Sequence, residues 1–158
     1  MSGKVKAGGI IRNERLAKIG VMSAPDRCGL ACDVLRAIGK KGINVEFIVQ
    51  CIDLANKSHI VMCVADDDLD KAVSALESLQ RVVEAEQITY ERNVALISVF
   101  GPDFRERPAV AAAVFDSMAS AGINILAIST SISTVSCLVD GPRVDDAIVA
   151  LREQFDLP

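Results

Sequence analysis

The fold is decided by residues 25–50, PDRCGLACDVLRAIGKKGINVEFIVQ, which join a polar loop, an amphipathic helix, a Gly-Ile-Asn turn and a strand. A second stretch with the same order, PDFRERPAVAAAVFDSMASAGINILAIST, runs from residue 102 to residue 130. A unit that occurs twice identifies a tandem repeat. We therefore expect two small domains, each marginal alone because a small domain buries a smaller fraction of its surface.

The apolar positions of the two copies match along their length. The first helix of each copy is predicted to bury residues at i, i+3, i+4 and i+7. These residues are Ala31, Val34, Leu35 and Ile38 in the first copy and Ala111, Val114, Phe115 and Met118 in the second. The second helix has matching sets, Leu69, Ala72, Val73 and Leu76 in the first copy and Val144, Ala147, Ile148 and Leu151 in the second.

Strand patterns complete each copy. Residues 16–22 alternate as a half-buried strand, residues 45–52 and 59–65 form a predicted hairpin, and residues 87–91 form a further strand candidate. Each copy therefore predicts an α+β fold of the ferredoxin-like βαββαβ type, an antiparallel sheet with two helices on one face. Such sheets have unpaired edges, so we expect them to join side by side, within the chain or across a dimer.

Composition narrows the functional classes. A net charge of -4 and a pI near 5.0 leave no basic surface for nucleic acid or for an anionic membrane. The N-terminus lacks the apolar core of a signal peptide, and the longest apolar run, residues 109–115, is too short to span a bilayer. We expect a cytoplasmic protein with neither nucleic acid nor membrane as a partner. Five cysteines with irregular spacing indicate reduced thiols.

Few residues have the pattern of an active site. The glycines around Lys40 and Lys41 lack the spacing of a phosphate-binding loop. The single histidine, His59, favours a structural role over general base catalysis. The acidic run 66–68 is more typical of a helix N-cap than of a metal site. We expect no catalytic residue, no metal and no cofactor.

The cysteines leave one catalytic alternative open. Cys28 and Cys32 are four residues apart at a predicted helix start, where a thiol can become more acidic, so the alternative is a small thiol enzyme or redox module. No further ligands accompany them, which makes a zinc site a weak interpretation. Cys51, Cys63 and Cys137 have apolar neighbours and are predicted to pack in the interior.

The loop before the first helix contains groups that can bind a small charged molecule. The first N–H groups of a helix have no backbone acceptor, so they can receive a carboxylate. Asp26 in the same loop could hold an ammonium group. Together these groups match a free amino acid, although Asp26 could equally be the N-cap of the helix.

These residues, with others further along, resemble the tandem ACT domains that form the regulatory half of aspartokinases. The resemblance runs from about Val5 to Leu157. It rests on Asp26-Arg27-Cys28-Gly29, Gly42-Ile43-Asn44-Val45, Phe47-Ile48-Val49-Gln50, Val99-Phe100-Gly101 with Arg105 and Pro108, Gly122-Ile123-Asn124-Ile125, Ile128-Ser129-Thr130-Ser131 and Val135-Ser136-Cys137.

The resemblance implies two ACT domains, residues 14–91 and residues 92–158 together with the lead-in strand 4–13. It implies amino-acid sensing without catalysis, with lysine, threonine or a similar amino acid held where ACT domains meet in a homodimer. The effector site would comprise Asp26, Cys28, Gly29, Leu30, Ile43, Asn44 and Gln50, with Asn124 and Ile125 from the facing domain. The chain would then be a free-standing sensor or a separately made regulatory subunit that acts on an aspartokinase catalytic chain.

Several positions depart from the family pattern. The loop has Cys28 where the family has proline, and Gln50 is followed by Cys51 where asparagine is common. Asp53 replaces a common serine, and His59 stands where aspartate is common. Whether the second loop, Pro102 to Ala109, also holds an amino acid is left open, since its extra length and Phe104 could fill the space.

Overall fold

The computed structural model describes residues 3–102 and 104–158. The strands are β1 (Val5–Lys6), β2 (Gly9–Pro25), β3 (Phe47–Ile52), β4 (Lys57–Ala65), β5 (Gln87–Phe100), β6 (Ala127–Thr130), β7 (Thr134–Asp140) and β8 (Phe155–Asp156). The α-helices are α1 (Leu30–Gly39), α2 (Leu69–Val83), α3 (Ala109–Ser120) and α4 (Val144–Gln154). Short 3₁₀ turns at Asp66–Asp68, Phe104–Glu106 and Gly141–Arg143 precede α2, α3 and α4. Within the described ranges, no helix has the length and apolar character needed to cross a membrane.

The chain forms two compact units. The central unit comprises Arg15–Arg92, and the terminal unit comprises Met1–Glu14 with Asn93–Pro158. Strands β2 and β5 each contribute residues to both units.

The central unit has the strand order β3-β4-β2-β5. β4 pairs antiparallel with both of its neighbours, with Ile19 opposite Met62 and Gln50 opposite Ile60. Alternate residues of β2 and β4 share one core with the inward faces of α1 and α2. That core positions the polar loop between β2 and α1.

The terminal unit repeats the plan with the order β2-β5-β7-β6. β5 and β7 pair antiparallel, with Ile97 opposite Cys137. Their alternate residues share a core with α3 and α4. The lead-in β1 adds a short parallel pair with β8, in which Val5 lies opposite Phe155.

The predicted α+β fold is confirmed, but the buried face of α1 is rotated from the prediction. Leu30, Val34 and Ile38 are buried, whereas Leu35 is 37% exposed. The helix packs into its core along the i, i+4, i+8 row, and Leu35 lies beside that row and is partly exposed. The four predicted core residues of α4 are all buried.

Strand boundaries also differ from the prediction. The lead-in segment divides into β1 and the start of β2, a strand of 17 residues that also includes residues 16–22, and residues 87–91 are the start of a strand of 14 residues. Arg15 and Asn93 lie within these strands with positive φ angles of 59° and 56°. A single left-handed residue is accommodated inside a strand as a local irregularity.

Candidate functional site

A bulge near the end of β2 sets the position of the loop that precedes α1. The pairing with β4 is regular up to Val21 opposite Ile60 and then shifts before Ala24 opposite Ser58. Ser23, inside this irregularity, has a φ of 55°. Beyond the bulge, the Asp26 N–H donates to the Asn56 carbonyl at 3.1 Å, so the β3–β4 hairpin holds the start of the loop.

Helix α1 begins without a side-chain cap. Gly29 is its N-cap residue, with a φ of 90°, a left-handed conformation that suits glycine. The Leu30 N–H donates to the Arg27 carbonyl at 3.3 Å, and the Asp33 N–H donates to the Gly29 carbonyl at 3.0 Å. The N–H groups of the first turn have no acceptors inside the helix, so this end presents donors to an anion.

Two opposite charges flank this helix start. The Asp26 carboxylate is half-buried and makes neither an ion pair nor a hydrogen bond with the described residues. It is not the N-cap, because Gly29 occupies that position. Arg27 donates to the Asp33 carboxylate at 2.6 Å and to the Cys28 carbonyl at 3.4 Å, so its guanidinium lies over the first turn. A zwitterion with adjacent carboxylate and ammonium groups complements this arrangement.

Gln50 lies at the same end of the sheet. Its Nε2 donates to the Ser58 hydroxyl at 2.7 Å, and Ser58 is fully buried opposite Ala24. With the nitrogen directed to Ser58, the Gln50 Oε1 is left as an acceptor. The site therefore offers acceptors at Asp26 and Gln50 and donors at the start of α1.

The remaining predicted residues lie elsewhere in their units. Ile43, which is buried, and Asn44, which is exposed, follow the C-terminus of α1. A helix of 10 residues separates them from the Asp26 loop by about 15 Å. Asn124, exposed, and Ile125, half-buried, occupy the corresponding turn after α3 in the terminal unit. The central unit thus brings together Asp26, Cys28, Gly29, Leu30 and Gln50.

The sequence analysis did not identify three residues that hold the site in place. Ser23, Asn56 and Ser58 act through hydrogen bonds that hold the loop and the hairpin. Ser58 could have been found because it is in register with Ile60 and Met62 in an alternating strand, where a buried hydroxyl needs a partner. Nothing in the sequence marks Ser23 as a bulge residue.

The second loop differs from the first because an aromatic ring fills it. Phe104 is only 8% exposed and belongs to the core of the terminal unit. Gly101 packs so closely on this ring that an added Cβ would lie 2.6 Å from Phe104. Arg107 donates to the Lys6 carbonyl at 2.7 Å, and Pro108 is the N-cap residue of α3. Asp103, within this loop, lies outside the described residues.

The acidic run before α2 is involved in ion pairs. Asp66 and Asp70 pair with Arg92 at 3.2 and 2.8 Å. Asp68 occupies the N-cap position of α2, as predicted, but no side chain makes a capping hydrogen bond to α2 or to the 3₁₀ turn before it. Among residues 3–102 and 104–158, no cluster of three or more histidine, cysteine or acidic side chains could hold a metal ion.

The five cysteines are free thiols. Cys28, Cys32 and Cys51 are exposed, and the Arg36 guanidinium lies 3.3 Å from the Cys32 sulfur. The predicted burial of Cys63 and Cys137 is confirmed, but that of Cys51 is wrong, since it lies near the end of the edge strand β3. Burial raises the pKa of both Cys63 and Cys137 from 9.0 to about 12.

Alkylation should separate these two classes of thiol. At pH 8, iodoacetamide should add three groups to the native chain and five in denaturant, because the buried thiols are inaccessible and protonated. Since their pKa is raised in the folded state, their contribution to stability is complete below pH 9.0 and is lost as the pH rises toward about 12. Intact-protein mass spectrometry with Cys51→Ser, expected to give two groups, provides the control. Four or five groups on native protein would contradict the burial.

Comparisons with known proteins agree with the repeated fold. An ACT-domain family model matches residues 19–84, and a second ACT-domain model matches residues 97–155. A solved structure of aspartokinase alpha and beta subunits is 30% identical, with a TM-score of 0.86, over 94% of this chain and 97% of that one. The regulatory subunit of aspartate kinase from Thermus thermophilus, in its ligand-free form, is 27% identical, with a TM-score of 0.87, over 95% and 99% of the two chains.

Curated relatives extend the similarity to longer proteins. The aspartokinase of Mycolicibacterium smegmatis is 32% identical over 151 residues, which are 94% of this chain and 36% of that protein. The chain therefore spans about a third of the length of such relatives. Its two units each match an ACT domain. The chain belongs to the ACT-domain family and is homologous to the regulatory region of aspartokinases.

Proposed function

We propose that this chain is a non-catalytic regulatory protein that binds a small free amino acid, lysine, threonine or a similar one, at the start of α1. The observation that carries the proposal is the unpaired Asp26 carboxylate beside the exposed first turn of that helix. Asp26 would accept the ammonium group of the amino acid. The first-turn N–H groups, with Arg27 nearby, would hold its carboxylate.

The side chain of the amino acid would meet Gln50. Its Oε1 suits a hydroxyl or an ammonium donor. Of the other carboxylates at this end, Asp33 is paired with Arg27, and Asp53 already accepts bonds from His59 and from the N–H groups of Ala55 and Lys57. A lysine ammonium would therefore find no second unpaired carboxylate at this end among the described residues, which favours threonine over lysine.

The turns that carry Asn44 and Asn124 would complete the site from another ACT domain. Both lie at the far ends of their helices from the loops of their own units. We propose that they reach the site when chains associate as a homodimer through sheet edges. β3 and β6 are edge strands in their units and expose Ile48, Ile52 and Ile128. Paired edges would cover both these side chains and the unpaired backbone groups.

The partner would be an aspartokinase catalytic chain. Support comes from the Thermus thermophilus regulatory subunit, which this chain matches over 99% of its length. A regulatory coupling of about 1–3 kcal/mol between amino-acid binding and kinase activity would suffice. This second candidate, a separate regulatory subunit, differs from a free-standing sensor only in the stable presence of that chain.

Replacing Asp26 with asparagine tests the site. A thermal-shift screen of the twenty amino acids should identify one or two that stabilise the chain, by about 2.7 kcal/mol at 100 times the dissociation constant. Isothermal calorimetry with that amino acid should show an affinity about 10- to 150-fold lower for Asp26→Asn, from loss of a charged hydrogen bond worth about 1.5–3 kcal/mol.

Asp67→Asn is the matched control, since Asp67 is an exposed carboxylate of the same unit that follows the end of β4 paired with Leu16, whereas Asp26 follows Pro25 at the other end of β2. Its affinity should equal that of the unmodified chain. Equal affinities in both variants would refute the assignment of Asp26, and the absence of stabilisation by every amino acid would refute the sensor.

A further inference from the structure

We propose that His59 positions the Asp26 loop and that protonation of its imidazole releases the loop. The histidine lies between two segments of the central unit. Its Nδ1 accepts the backbone N–H of Ser23 in the β2 bulge at 3.2 Å, and its Nε2 lies 2.8 Å from the Asp53 carboxylate in the β3–β4 hairpin. The bulge leads directly into Asp26. The expected effect on binding rests on the proposed function, whereas the structural effect does not.

The hydrogen bonds define the tautomer. A backbone N–H can only donate, so the Nδ1 of His59 must carry a lone pair. The proton of the neutral ring is then on Nε2, where it is donated to Asp53. Both ring nitrogens are used by this one tautomer, and the side chain is only 19% exposed. The ring therefore connects the bulge to the hairpin in its neutral form.

The hairpin end of this connection is firmly held. Asp53 accepts the Ala55 N–H at 2.8 Å and the Lys57 N–H at 3.0 Å through its second oxygen. The same hairpin supplies the Asn56 carbonyl that accepts the Asp26 N–H at 3.1 Å. His59 and Asn56 thus attach the segment from Ser23 to Asp26 to a single rigid turn.

A second proton would break only one of these contacts. Protonated Nδ1 cannot accept from Ser23, and its N–H would then point at another N–H. The ring would instead strengthen its bond to Asp53, since an imidazolium and a carboxylate attract each other. Protonation therefore removes the hydrogen bond from Ser23 that fixes the bulge and strengthens the hydrogen bond to Asp53 within the hairpin.

Several charged or titratable groups surround His59. The groups on adjacent elements are Asp53 and Lys57 in the hairpin, Cys51 opposite on β3, Asp26 at the end of β2 and Glu86, whose N–H donates to the Met22 carbonyl. The hydrogen bond from His59, followed by that from the Lys57 N–H, lowers the pKa of Asp53 below 3.8. Histidine is the side-chain type that ordinarily changes charge between pH 5 and 8, and the sequence contains one histidine.

Nuclear magnetic resonance of the unliganded chain tests the positioning role. At pH 8, ¹⁵N shifts should show an unprotonated Nδ1 and a protonated Nε2 in His59. Between pH 8 and 5.5 the amide resonances of Ser23 and Asp26 should shift with the midpoint of the His59 ring. In His59→Asn, whose side-chain oxygen can accept the Ser23 N–H without titrating, both amides should keep constant positions over the same range.

Three results would overturn the proposal. The first is a proton on Nδ1 of His59 at pH 8. The second is an Asp26 amide resonance that does not shift with the midpoint of the His59 ring. The third is a pH-dependent shift of the Ser23 and Asp26 amides that persists unchanged in His59→Asn. If that variant does not fold, the test is whether the Ser23 and Asp26 amides of the unmodified chain shift with the same midpoint as the His59 ring. The Glu77 amide on α2 is the reference, and its resonance should not shift with that midpoint.

Calorimetry with threonine and with lysine at pH 7.5 and 5.5 tests the consequence for binding. Affinity should fall about three- to tenfold at the lower pH, the loss expected for one hydrogen bond that orders the site. His59→Asn should remove that pH dependence. Equal affinity at both values in the unmodified chain would overturn the coupling to binding. If neither amino acid binds at either pH, the proposed function is contradicted. The magnetic resonance experiment still tests whether His59 positions the loop, because it uses the unliganded chain.

Discussion

Replacing Phe104 with alanine should lower the free energy of unfolding by about 3–5 kcal/mol, the range for a large aromatic side chain removed from a core. The ring is 8% exposed and packs with the core of the terminal unit. Gly101 lies against one side of it, so the surrounding chain can collapse only partly into the space left behind. For a chain of this length the melting temperature should fall by about 6–20 °C.

Two substitutions separate this loss from general effects of mutation. Phe104→Leu keeps most of the apolar volume and should cost less than about 1.5 kcal/mol. Tyr90→Ala removes an aromatic ring that is 61% exposed and should stay within about 0.5 kcal/mol of the unmodified chain. Urea titrations of the three variants would measure the differences. A loss below about 1 kcal/mol for Phe104→Ala would mean that the ring does not fill the second loop.

Replacing Leu30 with alanine should cost about 2–5 kcal/mol, for a different reason. Leu30 is the first residue of α1 and is 1% exposed, so its side chain anchors the helix start in the core of the central unit. Its backbone N–H donates to the Arg27 carbonyl at 3.3 Å, and alanine retains this bond together with the other N–H groups of the first turn. We therefore expect a large loss of stability and little change in amino-acid affinity under conditions in which the variant is folded.

Leu35→Ala is the matched control on the same helix. Leu35 is 37% exposed, so its removal should change stability by less than about 1 kcal/mol. Chemical denaturation compares the two variants, and calorimetry at low temperature compares their affinities. Equal stability losses at the two positions would show that α1 is rotated toward the face predicted from sequence.

The repeat was sufficient to predict the fold class, because the order of helices and strands in each copy limits the possible topologies. Two copies of one loop-helix-turn-strand order leave few ways to arrange the sheets and helices. The predicted core positions of α4 are all buried, and those of α2 are buried or half-buried. Apolar spacing was enough for these helices because their charged residues occupy one side.

The errors in the secondary elements have local causes. In α1, Leu30 lies beside a glycine at the helix boundary, and Leu35 fits the same spacing pattern, so periodicity alone could not choose between the two rows. Arg15 and Ser23 take positive φ angles without being glycine. Only the paired strands reveal why such residues stay within β2.

The candidate site was only partly accessible from sequence. Asp26 and the start of α1 are adjacent along the chain, so their proximity could be inferred. Gln50 reaches the same end of the sheet through the β3–β4 hairpin, whereas Asn44 lies one helix length away. The contacts of His59 depend on the bulge at Ser23 in β2, which no residue type in the sequence predicts.

The uneven distribution of thiols has a practical consequence for anyone who purifies this protein. All three exposed cysteines belong to the central unit, and the terminal unit has only the buried Cys137. Air oxidation during storage would therefore damage the half that carries the candidate site first. An aged sample could keep its circular dichroism spectrum and still contain less than one working site per chain, so fresh reductant matters more for titrations than for structural work.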